Sequence, residues 1–174
     1  MLSQKNKEAV PGSVTGAIRI IAAAIFWLGA SLASQRNAEP IPVNYDVLSG
    51  YTVVSRFERD ASASFLVIED QTQFDRTFEA AAVMNDGSNR LPPRAFESRI
   101  VVAAIKRDSY IWSYQVEEVS CSQDILYVHY RPALEDGGSA KFASALIISV
   151  ERQKYSGVVF VENGKIVKRL KIKM

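Results

Sequence analysis

The dipeptide Asn163-Gly164 constrains the fold of this chain more than any other local feature. It separates two segments rich in Val, Ile and Phe, residues 157–162 and 165–172. Asn and Gly both accept the positive φ angles that a two-residue type I′ turn requires, and this turn matches the twist of paired strands. The sequence therefore predicts an antiparallel hairpin over the last part of the chain.

Further strand patterns precede this hairpin. They combine β-branched or aromatic residues with apolar runs or an alternation of apolar and polar positions, which is typical of strands. These segments are residues 51–57, 65–68, 100–105, 111–119, 125–131 and 142–150. Their succession favours pairing between neighbours in the chain. The predicted fold class is α+β, with a mainly antiparallel β-sheet of about seven or eight strands and one short helix.

The one predicted helix covers residues 72–82. Thr72 and Asp75 resemble a capping box, in which a hydroxyl and a carboxylate satisfy free amides at a helix start. Phe74 and Phe78 are four residues apart and would share one face of the helix, which we expect to pack against the sheet. A ligand pocket between this helix and the sheet, lined by both rings, is the alternative to a packed core.

The N-terminal region has the pattern of an export signal. Residues 20–33 are apolar and uncharged, and they follow a polar lead that contains Lys5, Lys7 and Arg19. A helix over residues 20–33 would span about 21 Å, less than the ~30 Å hydrocarbon core of a bilayer. This length is typical of a signal peptide, and the small residues that flank Leu32 predict cleavage after Ala33. The alternatives are an uncleaved membrane anchor over residues 14–33 and a buried core helix.

The predicted domain organisation follows from this pattern. Residues 1–33 form a signal peptide or N-terminal membrane anchor, residues 34–45 a linker with two prolines, and residues 46–174 a single β-rich domain. In either exported form the domain lies outside the cytoplasm, in the periplasm or secreted. Membrane contact is then expected only through residues 14–33, and only if they are not cleaved.

Charge argues against a nucleic-acid partner. The formal net charge is +2, and the first 33 residues already account for it, so the remainder carries equal numbers of acidic and basic side chains. Binding to phosphates needs clustered Lys and Arg. The basic residues between positions 165 and 173 alternate with apolar ones, and we interpret them as the solvated face of the final strand.

The sequence offers little to support catalysis. His129 is the only histidine and Cys121 the only cysteine, so a Ser–His–Asp triad or a Cys–His pair would need these residues. No G-x-S-x-G motif is present, and no spacing of ligand residues is typical of a zinc or calcium site. We expect no catalytic residues, no cofactor and no metal, with a hydrolase that uses His129 as an alternative.

Aromatic side chains are the remaining indication of function. Tyr110, Trp112 and Tyr114 occur at alternate positions, and Tyr127 follows in the next strand pattern. Tyr and Trp are enriched at protein interfaces because they combine a large apolar area with a polar tip. These four residues are the candidate partner-binding set, and core packing is the alternative use of the same side chains.

The order of motifs resembles a known family. A strand, FLVIED, a helix containing QFDRTF, a proline-containing loop and then RIVVAAIKR, YIWSYQVEEVS and ILYVHYRP resemble the C-terminal domain of the PrcB family of protease complex subunits, over residues 47–151. Asp108-Ser109-Tyr110 stands where the family usually has paired glycines before an aromatic residue. The resemblance implies an exported, non-catalytic accessory domain, in some cases associated with a surface protease.

These observations lead to one functional expectation and its alternatives. We expect an exported, non-enzymatic domain of the cell envelope that binds another envelope protein as an accessory subunit. The first alternative is a periplasmic domain that binds a small molecule. The second is the hydrolase that would depend on His129.

Overall fold

A computed structural model describes residues 39–81 and 89–172, and strands dominate this part of the chain. The predicted α+β class, a largely antiparallel sheet with one short helix, is confirmed. The only α-helix in the described residues is α1, Gln71–Thr77, and a 3-10 turn covers Ala95–Glu97. The strands are β1 Ile41–Pro42, β2 Tyr45–Val47, β3 Tyr51–Val53, β4 Ala63–Ile68, β5 Phe78–Ala80, β6 Arg99–Ser122, β7 Ile125–Glu151, β8 Gly157–Glu162 and β9 Lys165–Lys171.

The signal peptide or anchor predicted for residues 1–33 lies outside the described residues. Within residues 39–81 and 89–172, no helix has the length and apolar character needed to cross a membrane. The linker predicted for residues 34–45 has to be corrected at its C-terminal end. Ile41 and Pro42 pair with Cys121 and Ser120 of β6, so the sheet begins before residue 46.

A long ribbon of β6 and β7 organises the fold. The two strands pair antiparallel from Arg99–Glu151 to Ser122–Ile125, and the turn between them is Gln123-Asp124, with φ angles of 52° and 60°. In the half of the ribbon that contains Arg99, β4 pairs with β6 and β2 with β7. In the other half, β1 pairs with β6 and β8 with β7, and β9 pairs with β8. Together these strands form a seven-stranded sheet, while β3 and β5 form a separate two-stranded sheet.

The ribbon bends sharply in its middle. The register between β6 and β7 shifts between Asp108 and Tyr110 and again between Ile111 and Trp112, as occurs at β-bulges, which bend strands. At the bend, the backbone N–H of Trp112 donates to Ser144 Oγ at 2.9 Å and the Tyr114 hydroxyl donates to Ser144 O at 3.2 Å. Residues 100–105 and 111–119, predicted as separate strands, are therefore the two arms of one bent strand.

The bend brings the two halves of the sheet together around a first hydrophobic cluster. Ile100 and Val102 of β6 share this cluster with Val128 of β7 and Val158 of β8, and all four are at most 3% exposed. The rings of Phe65 in β4 and Phe160 in β8 lie 5.1 Å apart between centroids, which places the halves in direct contact.

A second cluster lies on the other face of the same arm of β6. Val101 and Ala103 alternate with the residues of the first cluster and pack with Phe74 and Phe78, which are each 2% exposed. This arm is therefore buried on both faces, which explains why residues 100–105 form an uninterrupted apolar run rather than an alternating one.

The helix is shorter than predicted and begins with a different cap. Asp70, not Thr72, is the N-cap, and its carboxylate accepts a hydrogen bond from the Gln73 N–H at 2.8 Å. The helix ends at Thr77 because Phe78 is extended, with φ −127° and ψ 144°, and pairs with Val53 of β3. Residue 82, the predicted end of the helix, lies outside the described residues.

The predicted terminal hairpin is confirmed. β8 and β9 are antiparallel, and Asn163 and Gly164 have φ angles of 50° and 74°, as a type I′ turn requires. The order of the preceding strands differs from a succession of hairpins, since β1 and β4 pair with β6, β2 pairs with β7 and β3 pairs with β5. β8 pairs with β7 in parallel, with Leu126 in register with Val158, because residues 152–156 lead the chain back beside the start of β7.

Candidate functional site

Large apolar side chains at the bend are exposed to solvent. Tyr110, Ile111 and Leu134 are 46, 37 and 57% exposed; Tyr110 and Ile111 are consecutive in β6 and so lie on opposite faces of the ribbon, and Leu134 of β7 is in register with Trp112. We call these three residues the bend surface. Of its members only Tyr110 belongs to the predicted partner-binding set. Ile111 and Leu134 were missed because strand alternation alone does not show which side of a bend faces solvent.

Hydrogen bonds and ring contacts hold Tyr110 in place. Its N–H donates to Asp108 Oδ1 at 2.8 Å, and the same carboxylate accepts from Trp112 Nε1 at 3.0 Å. The rings of Tyr110 and Trp112 meet edge to face, with centroids 6.2 Å apart and planes at 71°. The Tyr110 ring is therefore exposed but restrained, which lowers the conformational entropy that it would lose on binding a partner.

A glycine in the facing strand completes the support of Tyr110. Gly137 is in register with Tyr110, and a Cβ at this position would lie 2.8 Å from Tyr110 Cδ1. Only a residue without a side chain leaves room for the ring in its present position. At the neighbouring Gly138, a Cβ would meet the Phe142 ring at an ordinary distance of 3.6 Å.

Trp112 supports the bend surface and is itself half-buried. The Lys106 Nζ lies 3.6 Å from the centre of the Trp112 ring, a cation–π contact. This contact and the hydrogen bond from Nε1 to Asp108 fix the indole, and the backbone N–H of Trp112 donates to Ser144 Oγ. The structure thus brings Tyr110 and Trp112 of the predicted set into contact but leaves Tyr110 more exposed than Trp112.

Around the bend, neither edge of the ribbon pairs with a third strand from the described residues. On β6, pairing with β4 ends at Lys106 and pairing with β1 begins at Ser120. On β7, pairing with β8 ends at Tyr130 and pairing with β2 begins at Ile148. Between these points, in the part of the chain that the structure describes, the ribbon is two-stranded. Such an edge is able to pair with a strand of another protein.

Charged side chains limit access to these edges. Arg131 forms an ion pair with Glu117 across the ribbon, and the Ser113 hydroxyl donates to Glu135. Charges along an edge disfavour unspecific strand pairing, so a partner would have to complement them.

The other two members of the predicted set lie elsewhere. Tyr114 faces the first cluster, where its ring centroid is 5.9 Å from that of Tyr130. Burial raises the pKa of the Tyr114 hydroxyl, as do, to a lesser degree, the negative charges of Glu162 and Asp108. Tyr127 lies on the outer face of β7 opposite Ser120 and apart from the bend. The structure therefore places Tyr114 and Tyr127 in two separate environments.

The arrangement of Cys121 and His129 does not allow a catalytic pair. Val119 and Val128 belong to the first cluster, and Cys121 packs against it. His129 follows Val128 in β7, so its side chain lies on the opposite face of the sheet, beside Tyr127. The sheet itself therefore separates the thiol from the imidazole. Among residues 39–81 and 89–172, no group of three His, Cys, Asp or Glu side chains is arranged to hold a metal ion.

The pocket predicted between the helix and the sheet is occupied by protein. Phe74 and Phe78 fill this space with ring centroids 5.3 Å apart, and Tyr51 and Phe96 pack against the Phe74 ring. The second cluster therefore closes the space between α1 and the sheet, whereas an open depression lined by Tyr51, Phe74 and Phe78 lies beside the helix near Pro92, and a ligand at this helix stays an alternative.

Comparisons with protein-family models, with curated proteins and with solved structures found no match to this chain. The resemblance to the PrcB family stays a prediction from the order of its motifs.

Proposed function

We propose that this chain is an exported, non-enzymatic domain of the cell envelope that binds another protein through the bend surface. The observation that supports this function best is the Tyr110 ring, which is exposed yet packs against Trp112 and Gly137, while Asp108 accepts from the Tyr110 backbone N–H. An exposed and restrained aromatic ring among other apolar side chains is typical of the residues that contribute most to protein interfaces.

The free edges of the ribbon support the same proposal. A partner strand that added to β6 or β7 beside the bend would obtain main-chain hydrogen bonds from the edge and side-chain contacts from Tyr110, Ile111 and Leu134. The resemblance to protease complex subunits names an envelope protease as one class of partner.

Site-specific photo-crosslinking in the producing cells tests the proposal. A photoreactive benzoyl-phenylalanine at Tyr110 of the full-length chain is expected to yield a discrete covalent adduct with a partner. The matched control is the same replacement at Tyr45, which is a tyrosine of similar exposure on β2, away from the bend. Equal adducts from both positions, or none from Tyr110, would contradict the proposed surface.

A pair of glycine variants sharpens this experiment. In Gly137→Ala the new methyl group displaces the Tyr110 ring, so the adduct from a photoreactive group at Ile111 is expected to decrease several-fold. In Gly138→Ala the methyl group makes an ordinary contact, and the adduct is expected to persist. Identical crosslinking by the two variants would show that the position of Tyr110 does not matter.

Export is tested separately by the mass of the intact protein. A chain that begins at Ser34 in an extracytoplasmic fraction is the expected result of cleavage after Ala33. A full-length chain in the membrane fraction would indicate the anchor instead, and a full-length chain in the cytoplasm would contradict both exported forms.

A further inference from the structure

Strand β9 is an exposed edge of the seven-stranded sheet. It pairs with β8, and no other strand of the described residues pairs with it, although β4 lies near it. Six of its seven residues are exposed, and only Leu170 is half-buried. The unpaired side of an edge strand presents a row of main-chain N–H and C=O groups, to which a strand of another protein is able to add.

Basic side chains make up more than half of β9. They are Lys165, Lys168, Arg169 and Lys171, and all four are exposed. Among the described residues, none of these side chains forms an ion pair or a hydrogen bond. The four charges therefore contribute no contact to the fold.

The neighbouring strands do not neutralise this charge. Glu162 is the only acidic residue of β8; it is in register with Lys165 and accepts from the Tyr130 hydroxyl at 3.1 Å. Strand β4 carries no charged residue. The residues of β8 in register with the other three cations are uncharged, namely Phe160, Val159 and Gly157. The edge from Lys168 to Lys171 therefore carries three cations with no carboxylate in register.

The placement of the three cations favours an extended segment over a flat polyanion. Lys168 and Arg169 are consecutive, so their side chains lie on opposite faces of the sheet. A strand added at the edge also has side chains on both faces, whereas a membrane surface approaches from one face. A second copy of this chain is disfavoured, because two β9 edges would place like charges opposite each other.

We propose that β9 accepts an extended acidic segment of another protein as an additional strand. The carboxylates of this segment would lie opposite Lys168, Arg169 and Lys171, because cross-strand pairs of opposite charge stabilise a sheet. Ile166 and Val167, which are 50 and 42% exposed, would contact its other side chains. The same cations disfavour neutral and basic strands and so select the partner. This edge is distinct from the bend surface, and the proposal does not depend on that surface.

Calorimetric titration of the full-length protein at neutral pH with three heptapeptides tests the proposal. The first alternates Thr and Glu, and the second has Gln in place of every Glu. The third is the Glu peptide with methyl groups on consecutive central backbone nitrogens, which keeps its charges but removes main-chain donors. We expect the first peptide to bind at least about tenfold more tightly than either of the others. Equal binding of the first peptide and either of the others, or no binding of the first, would overturn the proposal.

Competition with phosphate polyanions distinguishes an acidic protein segment from a nucleic acid or a membrane. A single-stranded DNA oligonucleotide and phosphatidylglycerol vesicles are added to the complex with the Glu peptide, each at the same concentration of negative charge as the peptide. Neither is expected to displace the peptide, because neither supplies a strand to the edge. Displacement by either one would assign the edge to phosphates and overturn the proposal.

Substitutions locate the site on β9. The double variant Arg169→Gln with Lys171→Gln removes two exposed charges that form no ion pair in the fold, and it is expected to bind the Glu peptide about tenfold more weakly. The matched control is Arg76→Gln with Lys141→Gln, which removes two exposed charges from α1 and β7 and is expected to bind as the wild type does. Equal binding by both double variants would contradict the site.

Hydrogen exchange adds a readout of the main chain. On binding of the Glu peptide, backbone amides of β9 are expected to exchange more slowly, because some of them become hydrogen-bonded to the added strand. Slower exchange at the bend alone, with β9 unchanged, would overturn the proposal.

Discussion

Two buried tyrosines differ in what their hydroxyl groups contribute to the stability of the fold. The Tyr155 side chain is 2% exposed, and its hydroxyl has no hydrogen-bond partner among the described residues. The Tyr130 side chain is 1% exposed, but its hydroxyl donates to Glu162. A buried hydroxyl stabilises the folded state only when it forms the hydrogen bond that it loses from water.

The first prediction compares the two Phe variants. Tyr155→Phe is expected to leave the free energy of unfolding unchanged or to raise it by about 1 kcal/mol, because no hydrogen bond is lost. Tyr130→Phe, the matched control, is expected to lower it by about 1 to 2 kcal/mol. Urea denaturation followed by circular dichroism measures both. A larger loss of stability for Tyr155→Phe than for Tyr130→Phe would contradict the conclusion that only the Tyr130 hydroxyl forms a stabilising hydrogen bond.

The second prediction concerns alkaline pH. Burial raises the pKa of Tyr130 and of Tyr114, and the negative charge of Glu162 adds to both shifts. Above pH ~10 an unfolded tyrosine ionises while these two stay protonated in the fold, so the unfolded chain binds fewer protons. Stability is therefore present in full below pH ~10 and is lost as the pH rises further.

Unfolding free energies measured from about pH 8 to about pH 11 test this dependence. Tyr130→Phe is expected to reduce the alkaline loss of stability, since one of the raised tyrosine pKa values, which also include that of the buried Tyr155, is then absent. A wild-type protein and a Tyr130→Phe variant with parallel pH profiles would show that Tyr130 does not contribute.

At the scale of single elements, the stability of helix α1 depends more on its N-cap residue than on its length. Its seven residues are too few for a helix to be stable in isolation. The third prediction is that Asp70→Ala lowers the free energy of unfolding by about 1 kcal/mol, because the Gln73 N–H loses its acceptor. Thr72→Ala, which removes the cap predicted from sequence, is expected to change it by less than about 0.5 kcal/mol. Thermal denaturation of both variants decides between the two caps.

The end of α1 shows how tertiary contacts override local preference. Glu79 and Ala80 are good helix formers, and the sequence predicts that the helix continues through them. In the structure, residues 78–80 are extended because they pair with β3, and Phe78 is buried in the second cluster in this conformation. The free energy of one extra helical turn is smaller than that of the pairing and burial that replace it.

At the scale of the whole molecule, one arm of β6 connects the two hydrophobic clusters. Ile100 and Val102 belong to the first cluster, and Val101 and Ala103 between them belong to the second. Both clusters pack against the same short segment of β6, so a loss of packing in one cluster disturbs the backbone that supports the other. We therefore expect the two clusters to unfold together.

The fourth prediction follows from this shared strand. Phe160→Leu in the first cluster and Phe74→Leu in the second are each expected to lower the free energy of unfolding by about 1 kcal/mol. In both variants, tryptophan fluorescence and far-UV circular dichroism are expected to report one coincident transition. A separate early transition in only one variant would show that the clusters unfold independently.

Several features of the fold followed directly from local sequence. Asn163-Gly164 predicted the terminal hairpin, since a two-residue turn with positive φ angles depends only on the residues within it. The apolar run 100–105 predicted a strand, and Phe74 and Phe78 were predicted to pack against the sheet, although Phe78 does so from β5 and not from the helix.

What the sequence determined by itself was the class of the fold, because alternation, turn residues and apolar runs act over a few neighbours. The tertiary structure alone decided that β6 bends, that β8 lies parallel to β7, and that the space under α1 is filled. It also decided that Tyr110 faces solvent while Tyr114 lines a cavity. These outcomes depend on contacts between residues far apart in the chain, such as Phe65 with Phe160, and no local pattern encodes them.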